Sequence, residues 1–273
     1  MIVLLAFAII SGMKVTNLCS GSKGNCTLLQ AENTNIIIDV GISYKLLTEL
    51  LVSFNLTADK INAILITHEH IDHVSGLATF IKNNPQVHIY VNSDVWQFLT
   101  SKYSACSGLD NVHYFNFYTP FSVGEFTVTP LQNMHDSVTC ASFILGCGGG
   151  KVGIATDLGI ITDRQIDYLK TCKVVFLESN HDLERLYNCR YPYLTKKRIS
   201  SDKGHLSNQQ CAKACIKLVS GQTKAIVLSH LSQHSNLPEL AYNSVANALS
   251  MAGLEATILL AWQDKPSKSI IIK

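Results

Sequence analysis

A chain of 273 residues can bury a substantial core, and one domain over residues 13–273 is expected. Hydrophobic content of 47% and charged content of 15% describe an ordinary globular protein and exclude the disordered and fibrous classes. With a formal net charge of +2, any binding of polyanions must come from local clusters of cations rather than from the global field.

The stretch Met1 to Ile10 is apolar, yet it is too short to span ~30 Å of hydrocarbon. No basic residue precedes it and no small-x-small cleavage site is evident before Met13, so neither a signal peptide nor a stable membrane span is expected. Met13-Lys14-Val15 opens a strand pattern, which marks Met13 as the natural start and residues 1–12 as an upstream extension of the reading frame. A real hydrophobic tail is the competing idea. Lys14 to Leu18, Cys26 to Leu29 and Ile36 to Val40 read as three short strands with polar turns between them. Leu46, Leu47, Leu50, Leu51 and Phe54 recur at helical spacing and lead back to a strand from Ala63 to Ile66. A helix over Ser75 to Lys82, a strand over Val87 to Val91 and a helix capped by Ser93 follow. The second half repeats the plan, with strands at Phe126 to Pro130, Ser142 to Leu145, Val152 to Thr156, Val174 to Leu177 and Ala225 to Ser229. Gly148-Gly149-Gly150 is a hairpin turn. Thr162 with Gln165, and Ser207 with Gln210, have capping-box spacing, and Asn236 with Pro238 signals one more helix start. Periodicity alone gives α/β or α+β.

Nine cysteines form no Cys-x-x-Cys pair, so disulfide and zinc-ribbon frameworks find little support. Reduced thiols in a cytoplasmic protein are expected. Chemistry concentrates in Thr67-His68-Glu69-His70-Ile71-Asp72-His73, at the carboxyl end of the Ala63 to Ile66 strand. Extended geometry sends His68, His70 and Asp72 one way, and a turn must bring His73 back. That split suits two metal ions. Imidazole and carboxylate donors without thiolate suit Zn²⁺, Mn²⁺ or Fe²⁺ in hydrolysis, whereas a structural zinc site is usually closed and rich in cysteine.

His-x-His-x-Asp-His after a strand resembles the signature of the metallo-β-lactamase superfamily, which implies an αββα sandwich. The remaining motifs are present in order: His135-Asp136, Asp157 and His230 each follow a strand-like run. By resemblance, His68, His70 and His135 hold one ion, Asp72, His73 and His230 the other, and Asp157 bridges them. Two ions sharing a carboxylate and a water make hydroxide available near neutral pH. Redox chemistry on iron is the runner-up, although relatives of that kind carry a flavodoxin domain or partner and no such segment is visible.

Three further stretches bear on substrate. Ser20-Gly21-Ser22-Lys23-Gly24-Asn25 offers backbone N–H groups and Lys23 to a phosphate, with an ordinary hairpin turn as the alternative. Arg190, Lys196, Lys197 and Arg198 are interleaved with Tyr191 and Tyr193, so cations can meet phosphates while rings stack on bases. A solvated charge run is the usual explanation for such a patch; beside a hydrolytic metal site, nucleic acid is favoured. His205, just before a capped helix start, is placed to meet a phosphate oxygen together with the helix N-terminus, and His181 follows a strand toward the same cleft. Either can protonate a leaving oxygen. Ser22, Lys23, Asn25, Asn180, Arg190, Lys197, Arg198 and His205 form the expected substrate-binding set, and Asp72, Asp157, His181 and His205 the expected catalytic set.

Taken together, Ser20 to Asn25, His68 to His73, Glu178-Ser-Asn-His-Asp182, Arg190-Tyr-Pro, Lys197-Arg198-Ile, Ser201 to Asn208 and Ser229-His-Leu-Ser-Gln233 resemble the YycJ/WalJ (VicX) group of bacterial metallo-β-lactamase-fold proteins. The resemblance implies a cytoplasmic, metal-dependent 5′ to 3′ exonuclease on DNA, with a link to a cell-wall two-component system. The hydrophobic start and His234 depart from the pattern. Rival expectations are a small-molecule phosphodiesterase or thioester hydrolase on the same metals, and a signalling protein with a vestigial site. A homo-oligomer is compatible with all of them.

Overall fold

The computed structural model describes residues 12–273, so the expectation for residues 1–12 lies, apart from Gly12, outside the described residues. Each half of the chain begins as an antiparallel meander and continues through parallel crossovers. β1 (Met13–Cys19), β2 (Cys26–Gln30) and β3 (Asn35–Ile38) pair antiparallel. From β3 onward, β4 (Ala63–Leu65), β5 (His88–Val91) and β6 (Val112–Tyr114) run parallel. Their connections carry α1 (Tyr44–Val52), the single turn α2 (Ile71–Val74), α3 (Leu77–Asn83) and α4 (Ser93–Lys102). The second half repeats this with β7 (Phe121–Val123), β8 (Phe126–Asn133), β9 (Cys140–Cys147) and β10 (Gly150–Ala155) antiparallel. β11 (Val174–Glu178), β12 (Ala225–Ser229) and β13 (Thr257–Leu260) then follow in parallel. Here the connections carry α5 (Asp163–Leu169), α6 (Leu183–Asn188), α7 (Tyr193–Ile199), α8 (Asn208–Val219) and α9 (Pro238–Met251). β14 (Ile270–Ile272) returns to pair with β1, completing two sheets of seven strands.

Alternation along the strands builds the layers. Ile36, Ile38, Ala63 and Leu65 face Phe143, Val152, Val174, Phe176 and Val227 across the space between the sheets. The residues between them point outward, Ile37 and Ile64 onto α1, α3 and α4. Val175, Leu177, Ile226 and Leu228 point onto α5, α8 and α9. Strands buried on both faces must be apolar throughout, and this is why they read as unbroken runs. The result is the expected αββα sandwich. No helix among the described residues is long and apolar enough to cross a membrane.

Several boundaries differ from expectation. The expected helix over Ser75 to Lys82 starts at Leu77: Ser75 and Gly76 keep right-handed dihedrals, but the Gly76 N–H donates to the Val40 carbonyl instead of back along the helix. Asn92, not Ser93, caps α4, its side chain accepting the Asp94 N–H at 2.9 Å. Leu237 rather than Asn236 occupies the cap of α9, and the Asn236 amide is drawn inward to the carbonyls of Ser179 and Asn180. Both capping boxes form, and Gly148 and Gly149 take positive φ in the two-residue turn joining β9 to β10. The short β6, β7, β13 and β14 and the helices α2, α6 and α7 were not anticipated.

Candidate metal centre

The carboxyl ends of β3, β4, β8, β10, β11 and β12 lie at one end of the sandwich, and each is followed by a residue of the site or ends in one. Three of these residues, Asp39, Asp157 and His230, take left-handed backbone conformations with φ of 59°, 60° and 57°. Such φ values are uncommon outside glycine, and Asp and His are among the side chains that tolerate them best. The kink ends each strand and turns the side chain into the space above the sheet edges.

Asp39 organises the first motif. Its Oδ1 accepts the Thr67 N–H at 2.8 Å, and its Oδ2 accepts the Thr67 hydroxyl at 2.8 Å and pairs with His73 Nδ1 at 2.7 Å. His73 Nε2 is thereby aimed inward, 3.2 Å from Asp157 Oδ2 and 3.6 Å from Asp72 Oδ2. Glu178 plays the corresponding part in the second half. Its Oε1 pairs with Nδ1 of His230 at 2.9 Å and of His205 at 2.7 Å, while its Oε2 accepts the N–H groups of Leu158 and Leu206. His135 Nδ1 donates to the Gly204 carbonyl at 3.1 Å, leaving its Nε2 3.9 Å from Asp157 Oδ1. His68 and His70 stand edge to face beside His135, with ring centroids 4.6, 5.2 and 5.1 Å apart.

Two sets of donors converge: His68, His70 and His135, and Asp72, His73 and His230, with the atoms of each set within 4.8 Å of one another. Asp157 lies between them. The Nε2 atoms of His68, His135 and His230 are buried and have no hydrogen-bond partner. One such orphan costs roughly 1–3 kcal/mol, so unpartnered nitrogens within both donor sets fit divalent ions.

Charge in the metal-free cluster follows from burial and mutual attraction. Burial opposes a charge on His73 and His230, but Asp157 with Asp39 raises the first well above its ordinary range, and Asp157, Asp72 and Glu178 raise the second to about 10. Burial likewise opposes ionisation of Glu178, which His205 and His230 nevertheless hold at about 2; His230 and His73 hold Asp157 well below the usual carboxylate range. Burial lowers His68 and His135.

The Beta-lactamase superfamily domain matches residues 34–231 of this chain. The chain belongs to the metallo-β-lactamase superfamily. Within the superfamily it falls in the YycJ-like group: it is 33% identical over 244 residues to the exodeoxyribonuclease WalJ of Streptococcus pneumoniae serotype 2, covering 89% of this chain and 90% of that protein. It is 31% identical over 242 residues to the exodeoxyribonuclease YycJ of Bacillus anthracis, covering 89% and 91%. The metallo-β-lactamase fold protein YhfI of Bacillus subtilis shares the fold, with a TM-score of 0.72 at 18% identity over 94% of this chain and 99% of that one. As a member of the superfamily the chain is a metal-dependent hydrolase. Superfamily membership implies divalent metal ions, which the donor cluster fits.

Asp72 sits on the single turn α2 rather than on the expected extended segment, and the same turn brings His73 back as expected, so helical geometry sets their divergence from His68 and His70. Other expected residues are placed differently from the metal donors. The turn at Ser20 to Asn25 uses its own N–H groups: Gly21 donates to Asn25 Oδ1, Lys23 to Gln263 Oε1 and Gly24 to the Gly21 carbonyl. A cradle of free N–H groups is therefore not formed there, although the side chains of Ser22 and Lys23 are exposed. Asn25 is buried, and its amide donates to the Asp72 and Gly21 carbonyls and contacts His73 Nε2 at 3.0 Å. Asn180 is buried and donates to the His230 carbonyl at 2.9 Å, supporting the strained backbone there. His181 is 1% exposed, burial lowers its pKa to about 4, and neither of its ring nitrogens has a hydrogen-bond partner. At the start of α8, Asn208 N–H donates to the His181 carbonyl and Gln210 N–H to Ser207 Oγ, which closes most of that helix end to a phosphate. His205 does join the centre, its ring 5.1 Å from His135 and 5.3 Å from His230. Arg198 reaches the rim by pairing with Asp136, while Arg190 and Lys197 are exposed nearby in sequence. The orienting roles of Asp39 and Glu178 were missed, although both are carboxylates closing apolar strands, the same signal that marks Asp157.

Proposed function

We propose that this chain is a 5′ to 3′ exodeoxyribonuclease that works with two divalent ions, zinc or manganese, iron being compatible with the same donors. The convergence of unpartnered, buried imidazole nitrogens around Asp157 carries the reading, and the names of the relatives in Streptococcus pneumoniae and Bacillus anthracis support DNA as substrate. His68, His70 and His135 would hold one ion, Asp72, His73 and His230 the other, and Asp157 both. Bound there, the ions would polarise a phosphoryl oxygen and lower the pKa of water at the site.

The chain's own residues supply position and protons. Asp39 and Glu178 fix the tautomers of His73 and His230, so that Nε2 of each faces the centre. His205 is held through Nδ1 by the same carboxylate, and as an imidazolium, its charge balanced by Glu178, it would deliver the second proton from Nε2 to the leaving oxygen and return to the neutral ring. Lys23, Lys197 and Arg198 would screen the flanking phosphates, with Arg198 exchanging part of its pairing with Asp136 for substrate. A cytoplasmic site of action agrees with the free thiols of all nine cysteines.

The test is digestion of 5′- and 3′-labelled DNA and RNA, single- and double-stranded, by full-length protein with Mn²⁺ or Zn²⁺, beside Asp157→Ala and His68→Ala. Stepwise loss from the 5′ end of DNA, abolished in both variants, is expected. Cleavage by either folded variant would refute the mechanism. Turnover of small phosphodiesters or thioesters without any attack on nucleic acid would replace the substrate assignment.

A further inference from the structure

The metal centre makes no use of the surface between α6 and α7. These two short helices meet in a groove of about 570 Å³ lined by Leu183, Leu186, Tyr187, Tyr193, Lys196 and Lys197. Leu186 is buried as its floor, whereas Tyr187 and Tyr193 are 79% and 75% exposed. Together with Leu183, which is also exposed, the two rings give the groove a contiguous apolar wall of the kind that partners engage. No carboxylate lines the groove, and both of its charged groups are cations. Lys196 Nζ donates to the Tyr187 carbonyl at 2.6 Å, which pins the helices together.

Tyr193, Lys196 and Lys197 share one face of α7 at i, i+3 and i+4. Arg198 leaves from the neighbouring face and pairs with Asp136, the residue after His135. One helix thus joins the groove to the rim of the metal centre.

We propose that this groove receives unpaired bases of a single-stranded nucleic-acid segment adjoining the bond that is cut. Bases stack on Tyr187 and Tyr193, and their phosphates run along Lys196 and Lys197 toward Arg198. In a duplex the base faces are covered by their neighbours, so only an unpaired base presents a face to a ring. The inference rests on the nuclease reading and narrows it to substrates with a frayed or single-stranded portion. An acidic, leucine-rich peptide would match the same charge and apolarity. Continuity with the phosphodiester site through Arg198 favours the nucleic acid.

Binding of fluorescein-labelled single-stranded and blunt duplex oligonucleotides to the full chain, held in chelator so that no bond is cut, tests the proposal. Tyr187→Ala and Tyr193→Ala should each weaken single-strand binding at least about fivefold and change duplex binding little, with Tyr→Phe variants restoring it. A 2-aminopurine in the oligonucleotide should be quenched by the wild type and the Phe variants but not by the Ala variants. Unchanged single-strand affinity in the Ala variants, while the wild type still digests DNA, overturns the groove and leaves the nuclease reading standing. Loss in those variants of binding to an acidic leucine-rich peptide, with nucleic-acid binding retained, assigns the groove to a protein instead. A wild type that neither cuts nor binds nucleic acid overturns both readings.

Discussion

Asp39 and Glu178 sit behind the donors, and they act on the same half of the centre: Asp39 orients His73 and Glu178 orients His230. Replacing such a supporting carboxylate usually lowers metal affinity about 10–100-fold. Asp39→Asn and Glu178→Gln should therefore lose the ion assigned to Asp72, His73 and His230 while keeping the one assigned to His68, His70 and His135. Metal content after dialysis would fall from two ions per chain toward one; retention of both by either variant would remove the orienting role. Titration gives a second prediction for the metal-free protein. His73 and His230 have raised values, so their contribution to stability is complete below about pH 6.5 and is lost as pH climbs toward the folded value, about 10 for His230. Glu178 and Asp157 have lowered values, and their contribution is complete above about pH 4.5 and lost as pH falls toward the folded value, about 2 for Glu178. His68, His135 and His181 are lowered by burial and subtract stability as pH falls below about 6.5, so chelated protein should melt highest near pH 6.5, and a melting temperature that rises from pH 6.5 to 9 would contradict this. The donors were legible because each follows an apolar strand in a familiar order. That Asn25 and Asn180 are buried against neighbouring carbonyls was not legible, because a polar residue inside a motif looks the same in sequence whether it faces substrate or props up the backbone.

Single elements transmit these constraints. The turn from Ser201 to His205 touches the centre twice, through the Gly204 carbonyl on His135 and through His205 on Glu178. A methyl at Gly204 would lie 2.2 Å from the carbonyl oxygens of Arg198 and Ile199, and backbone cannot yield to it as a flexible side chain could. Gly204→Ala should destabilise the protein by about 1–3 kcal/mol and displace His135 and His205 together. Thermal melting combined with metal content reads both effects, and wild-type behaviour in both would show the turn to be compliant. The long strands were legible because alternation and β-branched runs survive in any context. β6, β7 and β14 have three residues each and β13 four, too few to establish a period, and they sit at or beside sheet edges where exposed positions break the apolar run. α7 has no buried residue and hence no apolar stripe to reveal it.

In the whole molecule the centre lies on the seam between the two sheets. His68, His70, Asp72 and His73 come from the first, His135, Asp157 and His230 from the second. Ions held there would fasten the halves, and anything that binds only the folded state raises its stability. At a hundredfold excess over Kd the gain is about 2.7 kcal/mol, which for a chain of this size is roughly 5–10 °C in melting temperature. Chelation should lower the melting temperature by that order, and no change would detach the ions from the seam. The doubled meander-then-crossover plan was visible in sequence. The return of β14 to β1 was not, since pairing between the two ends of the chain leaves no local signature.

Each triad draws two donors from the first half of the chain and one from the second, with Asp157 also from the second. The first half alone therefore offers three imidazoles and one carboxylate, those of His68, His70, His73 and Asp72, and neither candidate set is complete without the second half. Unlike a zinc finger, whose ligands sit close together in one short segment that the metal itself folds, this architecture brings its candidate donors together only where the two sheets meet.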